Sequence, residues 1–185
     1  MLWRRRMSSA AEQRQAVADL ARLAQRDLFA LWARIARLPR AAQITALSEV
    51  LPIIGDEYGT AAAALAADWY EALRARRVKG TFVATMADLP EQERWDSMAR
   101  WATGKTETEA LLAGGLQRSV ADMHRLTVVR SSIEDPRARG WQRIGGGSSC
   151  DFCQMLIGRG AVYTESTADF ASHDHCNCAA VPEFN

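Results

Sequence analysis

The 185 residues contain no run of the roughly 18 to 20 apolar residues that a bilayer-spanning helix requires. The richest stretch, residues 60–73, carries Asp68 and Glu71, so the sequence predicts no membrane span. An excess of charge of one sign is missing as well. Lys and Arg total 23 against 22 Asp and Glu, a net charge of +1, and a nearly neutral chain has no whole-molecule field to draw it onto nucleic acid regardless of sequence. Lysine occurs only at Lys79 and Lys105. The remaining cations are arginines suited to planar, bidentate contacts, which a coding bias explains as readily as a need to grip carboxylate or phosphate. Cysteine is absent before residue 150, and all four cysteines fall between Cys150 and Cys178. That crowding is unlike a disulfide framework spread over a secreted domain and fits a reducing compartment with a local metal site. No repeat of fixed period is present, which excludes a solenoid.

The opening residues Met1-Leu-Trp-Arg-Arg-Arg-Met7 have the basic start of a signal peptide. Ser8, Ser9, Glu12 and Gln13 then stand where its apolar region belongs, and export is not expected. Residues 1–7 read as a flexible arm, with Trp3 beside Arg4, Arg5 and Arg6 available to phosphates or to an acidic partner.

What the chain does have is helical periodicity. Apolar residues at Val17, Leu20, Ala24, Leu28, Leu31, Ile35 and Leu38 lie on one face of a helix capped by Ser8 or Ser9 and closed by Pro39. A second helical stretch covers residues 41–51, breaks or kinks at Pro52, and resumes over the alanine-rich residues 60–77. Residues 78–88 show no helical period and read as a loop or short extended piece. Leu89-Pro90-Glu91 opens a short helix that ends at Gly104. Residues 107–133 form the last long helix, in which Gly114 and Gly115 allow close contact or a bend. The expected fold is therefore mainly α. A helical bundle over residues 8–135 is followed, after Asp135-Pro136 and a glycine-rich approach, by a small α+β lobe over residues 136–185. Most of the six tryptophans are expected in the core.

The chemistry lies in Cys150-Asp-Phe-Cys153 and, some twenty residues on, His173-Asp-His-Cys176-Asn-Cys178. Two cysteines separated by two residues in a turn can aim both sulfurs at one ion, the half-site of zinc fingers and ribbons. A short strand at residues 161–164 and another at 176–181, paired as a β-hairpin, would bring the second half to the first. Zinc requires four nitrogen or sulfur ligands. Cys150, Cys153, His173, Cys176 and Cys178 are the candidates, with His175 as a reserve or as a partner orienting a ligand. The alternatives are a disulfide such as Cys150 to Cys178, or thiols that merely pack. The ion is expected to be structural, because the His-x-Glu and Pro-Cys-x-x-Cys elements of zinc deaminases are absent. Asp174-His175 hints at a His-Asn-His nuclease turn, but the one other histidine, His124, sits in a predicted helix, where it reads as a surface residue.

Several of these pieces together resemble the Mu F-like minor capsid proteins, or phage head morphogenesis proteins, of the type found in phages of actinobacteria. They are Asp135-Pro136, Gly140-Trp141-Gln-Arg143, Cys150-Asp-Phe-Cys153, Arg159-Gly160-Ala-Val-Tyr163, Phe170, His173-Asp-His-Cys176-Asn-Cys178 and Pro182. Ala67-Asp-Trp-Tyr70, Arg100-Trp101-Ala102 and the helix from Leu111 to Arg125 agree more loosely. The family's His-Pro-x-Cys-Arg-Cys falls on His173, Cys176 and Cys178, with Asp174 in place of proline and Asn177 in place of arginine. The resemblance implies a structural, non-enzymatic protein inside the phage head, made in the host cytoplasm. Its implied partners are the portal protein, the major capsid protein and packaged double-stranded DNA, and it implies neither a membrane nor a small-molecule substrate. Some relatives carry a fused toxin or protease module, which is not expected in a chain ending at Asn185. A zinc-stabilised DNA-binding or regulatory module is the alternative.

Overall fold

The computed structural model describes residues 9–146, 149–164 and 170–185. The arm at residues 1–7, with Trp3 and its three arginines, and Gly147 and Ser148 of the glycine-rich approach lie outside the described residues. The order of elements is α1 (Ala10–Ile35), α2 (Arg40–Arg77), α3 (Gln92–Ala102), α4 (Thr108–Glu134), β1 (Ala138–Ile144), α5 (Asp151–Ile157) and β2 (Ala179–Phe184). The architecture is mainly helical with one small antiparallel sheet, as the periodicity predicts. None of the described helices is long and apolar enough to cross a membrane.

α1 starts where its sequence places a cap. Ser9 accepts from the Glu12 N–H at 3.2 Å, and the Glu12 carboxylate accepts from the Ser9 N–H at 2.5 Å, a reciprocal capping box. Its buried stripe contains Val17, Ala24, Leu28 and Ile35.

α2 departs from expectation, running 38 residues without a break at Pro52. Proline leaves the carbonyl four residues earlier, that of Ser48, without its helical donor. The Gln92 side-chain amide supplies the missing bond, donating to Ser48 O at 2.9 Å. A repair from another helix cannot be read from the local sequence, so the helix continues where proline alone would predict an end. Three residues on, Gly55 admits the fully buried indole of Trp95, since a Cβ there would meet the Trp95 ring inside van der Waals contact. Gly55→Ala is therefore expected to destabilise by about 1–3 kcal/mol through overpacking, against the gain of about 1 kcal/mol that alanine brings to an open helix. Urea denaturation reads the sign directly, and a stabilised variant would contradict the packing argument.

Residues 78–91 are irregular, as expected for 78–88, and are tied to α2 and α4 through side-chain acceptors. The N–H groups of Ala84, Thr85 and Ala87 donate to Glu71 Oε1, Ser131 Oγ and Thr127 Oγ1 at 3.0, 3.1 and 3.0 Å. These bonds satisfy backbone donors that no sheet partner reaches.

α4 is the central element, packed on α1, α2, α3 and both strands. Two apolar clusters flank it. One joins Leu28, Leu47, Leu51, Trp95, Leu112 and Leu116. The other joins Trp69, Tyr70 and Val128 of the helices to Trp141, Cys153, Tyr163, Phe170, Cys176 and Cys178. The cysteine-bearing residues thus share a core with α2 and α4.

β1 pairs antiparallel with β2, Trp141 opposite Pro182 and Arg143 opposite Ala180. This corrects the expected hairpin. Residues 161–164 contribute one isolated bridge, Tyr163 to Trp141, and the partner of the last strand is β1, which lies before α5 in the chain. The reason is burial. Trp141 is 0% exposed and stacks with Tyr163 at 4.4 Å and Phe170 at 5.3 Å between ring centroids, so β1 needs neighbours on both edges.

Candidate metal centre

The first half-site is built by a helix that the spacing alone had assigned to a turn. Cys150 is the N-cap of α5, its sulfur accepting from the Cys153 N–H at 3.5 Å, and Cys153 sits in the first helical turn. A helix start brings residues i and i+3 onto one side, so both sulfurs face the same space. α5 is fixed from behind by Tyr163, whose hydroxyl donates to Leu156 O at 2.9 Å.

The second half-site is a loop rather than a strand. β2 begins at Ala179, so Cys176 and Cys178 precede it. They still share a side, both buried, with Asn177 between them exposed. The Cys176 N–H donates to His173 O at 3.1 Å, closing a turn in which His175 has a positive φ of 63°. That turn rests on α4 at Gly114, where a Cβ would meet His175 Nε2 at 2.9 Å. His175 therefore faces α4, with Nδ1 3.2 Å from Gln117 Oε1, and belongs to neither group of converging donors.

The five other candidates come together. Cys150, Cys153 and His173 form one group and Cys153, Cys176 and Cys178 a second, the ligand atoms of each lying within 4.8 Å of one another. His173 Nε2 is 3.0 Å from Cys150 Sγ and 3.8 Å from Cys153 Sγ, and Cys153 Sγ is 3.7 Å from Cys176 Sγ. Zinc–sulfur bonds near 2.3 Å in a tetrahedron put sulfurs about 3.8 Å apart and a sulfur and an imidazole nitrogen about 3.5 Å apart, so the spacing suits a small tetrahedral ion. His173 is also presented correctly. Its Nδ1 lies 2.7 Å from the Asp174 carbonyl, a bond that places the proton on Nδ1 and leaves the Nε2 lone pair for a ligand. All four cysteines are free thiols. By donor set and dimensions the cluster can hold a metal ion, and neither group includes a carboxylate among the described residues.

Charge is arranged to suit thiolates. A hydrogen bond from Cys178 and the Arg125 guanidinium hold the Cys176 thiol down to about 4, while the same bond and burial push Cys178 up. The Cys153 amide and His173 lower the Cys150 thiol. The Asp174 carbonyl and then Cys150 raise His173.

Sequence reasoning missed the residues that carry this site from outside. Arg125 donates to Cys178 O at 2.7 Å and Cys176 O at 2.5 Å, and Arg14 of α1 donates to Asn177 O at 2.8 Å and Gly145 O at 3.1 Å. Residues 117–125 are mostly polar in sequence and single out neither Asp122 nor Arg125.

His124, expected on the helix surface, is 1% exposed, 3.2 Å from Gln13 Oε1 and packed near the Trp69 ring. α4 is enclosed on nearly all sides, which leaves little surface for it. Burial, and then Arg125, hold His124 down to about 4. The unfolded chain binds that proton near 6.5, so the stability contributed by the neutral ring is complete above about pH 6.5. It is lost as the pH falls toward 4, by about 3 kcal/mol in all. His124→Gln is expected to remove this part of the acid sensitivity, measured as the difference in unfolding free energy between variant and parent across pH 4 to 7. A constant difference would show that the ring does not titrate on unfolding.

No curated protein and no solved structure matches the chain. The family model described as VG15 protein matches residues 5–185, almost the whole length, and the chain accordingly belongs to the VG15 protein family.

Proposed function

We propose that the chain is a structural minor capsid protein of a tailed bacteriophage, held inside the head at the portal vertex and needed for head morphogenesis or for packaging and ejection of DNA. The observation that carries this reading is the coincidence of membership in the VG15 protein family with the Cys150–Cys153 and His173–Cys178 motifs, which resemble those of phage head morphogenesis proteins. Its partners are the portal protein, the major capsid protein and the packaged duplex. Large apolar side chains stay open to such partners, among them Ile53 of α2 at 65% and Val83 of the irregular segment after it at 80% exposure.

Zinc is the ion that the donor set fits best, held by four of Cys150, Cys153, His173, Cys176 and Cys178. When bound it supplies a cross-link in place of core volume. The role is structural, since the ligands come from the start of α5 and the loop before β2 and neither group of converging donors includes a carboxylate among the described residues. Elemental analysis of the purified protein, with mass spectrometry of its free thiols, is expected to find one equivalent of zinc and no disulfide. A disulfide without metal would overturn the zinc assignment. An asymmetric reconstruction of the virion is expected to place the chain inside the head at the portal, and density at another site would overturn the location. Steeply salt-dependent binding of DNA by the isolated chain would favour a DNA-binding module instead.

A further inference from the structure

The second half-site hangs on a single turn of α4. Arg125 is 1% exposed and spends three nitrogens there: Nε on Cys178 O at 2.7 Å, Nη2 on Cys176 O at 2.5 Å and Nη1 on Asp122 Oδ1 at 2.7 Å. Asp122 Oδ1 also accepts from Ser172 Oγ at 2.8 Å, immediately before His173. Two side chains three residues apart on one helix therefore hold the loop at residues 172, 176 and 178, bracketing all three of its candidate ligands. The guanidinium is further fixed over the Phe170 ring at 5.3 Å.

From this geometry we infer that Asp122 and Arg125 are positioning residues for the metal centre: they set His173, Cys176 and Cys178 in ligating positions and place a fixed positive charge beside an anionic thiolate site. The inference rests on the zinc reading above. A loop of this kind has many conformations when unbraced, and ordering it at the moment of metal capture costs affinity. A brace built into α4 removes that cost before the ion arrives. Backbone carbonyls are the natural handles, because they orient the sulfurs without occupying them. Partners behind metal ligands lower affinity by about 10–100-fold when removed.

The test uses cobalt(II) and zinc on the full chain, with affinities from competition against a chromophoric chelator and the visible cobalt bands as a report on the ligand set. In Arg125→Gln and Asp122→Ala, affinity is expected to fall about 10–100-fold. The cobalt spectrum at saturation should keep the thiolate bands of the parent, since no ligand has been removed. Ser172→Ala breaks only the outer contact. It is expected to weaken binding by several-fold and to add nothing to Asp122→Ala, which already removes the acceptor of that bond. That pair keeps the inference open to test even if the Arg125 variant does not fold. If the parent binds cobalt and zinc tightly while Asp122→Ala and Ser172→Ala bind within twofold of it, the inference is wrong and the zinc reading stands. If the parent binds neither ion, both fall together.

Discussion

Cys153→Ser is expected to abolish stoichiometric zinc binding and to expose residues 145–178 to proteolysis. Cys153 is the one donor common to both groups, lies between His173 and Cys176, and is 1% exposed. No other candidate can move into its position without displacing the α5 turn on which Cys150 also depends. Structural zinc contributes on the order of 10–16 kcal/mol of apparent binding free energy in small domains, so loss of a shared thiolate removes a large part of what holds these loops. Metal content after dialysis against a chelator and limited proteolysis with and without zinc are the readouts. A full equivalent of zinc retained by Cys153→Ser would remove this residue from the ligand set. Cys150→Ser, at an exposed edge of the same cluster, should be the milder change.

The second large effect concerns the corner where α4 ends. Asp135 accepts from Arg74 Nε at 2.6 Å and Arg74 Nη2 at 3.3 Å, and from the Tyr70 hydroxyl at 3.3 Å. The side chains of Arg74 and Asp135 are 6% and 0% exposed. Asp135→Asn leaves the Arg74 guanidinium buried without its counter-charge, and breaking a buried pair in this way costs about 3–5 kcal/mol. Exposed pairs such as Arg26–Asp27 contribute far less, because solvent screens them. Urea unfolding should show a lower midpoint at unchanged slope. The double variant Arg74→Met with Asp135→Leu should recover part of the loss, because it removes both charges together. A single-variant loss below about 1 kcal/mol would mean that water reaches the pair.

Local rules wrote much of this fold into the sequence. The capping box at Ser9, the end of α1 ahead of Pro39, the start of α3 after Pro90 and the stripe of α4 depend on neighbours within a turn or two, and each is where periodicity and capping place it. The departures depend on distant contacts. Pro52 is tolerated because Gln92 reaches Ser48 from another helix. β2 pairs with β1 because Trp141 must be covered. His124 and Arg125 are buried because α4 is central. The five donors were legible from residue type and spacing, because metal ligands must come from a short list of side chains. The turn-like reading of Cys150–Cys153 missed α5, whose seven residues are too few to show a helical period. Nothing local marks Asp122, Arg125 or Arg14 as supports. Their bonds go to backbone carbonyls, which every residue has and no motif records.

Arg14 near the start of α1 is bonded to Asn177 near the end of the chain, and β1 completes its pairing only with residues 179–184. During translation, then, the helices can gather as they emerge, but the aromatic stack around Trp141 stays open until residues 179–184 have emerged. Emergence of β2, rather than of α5, is the moment at which this sheet closes.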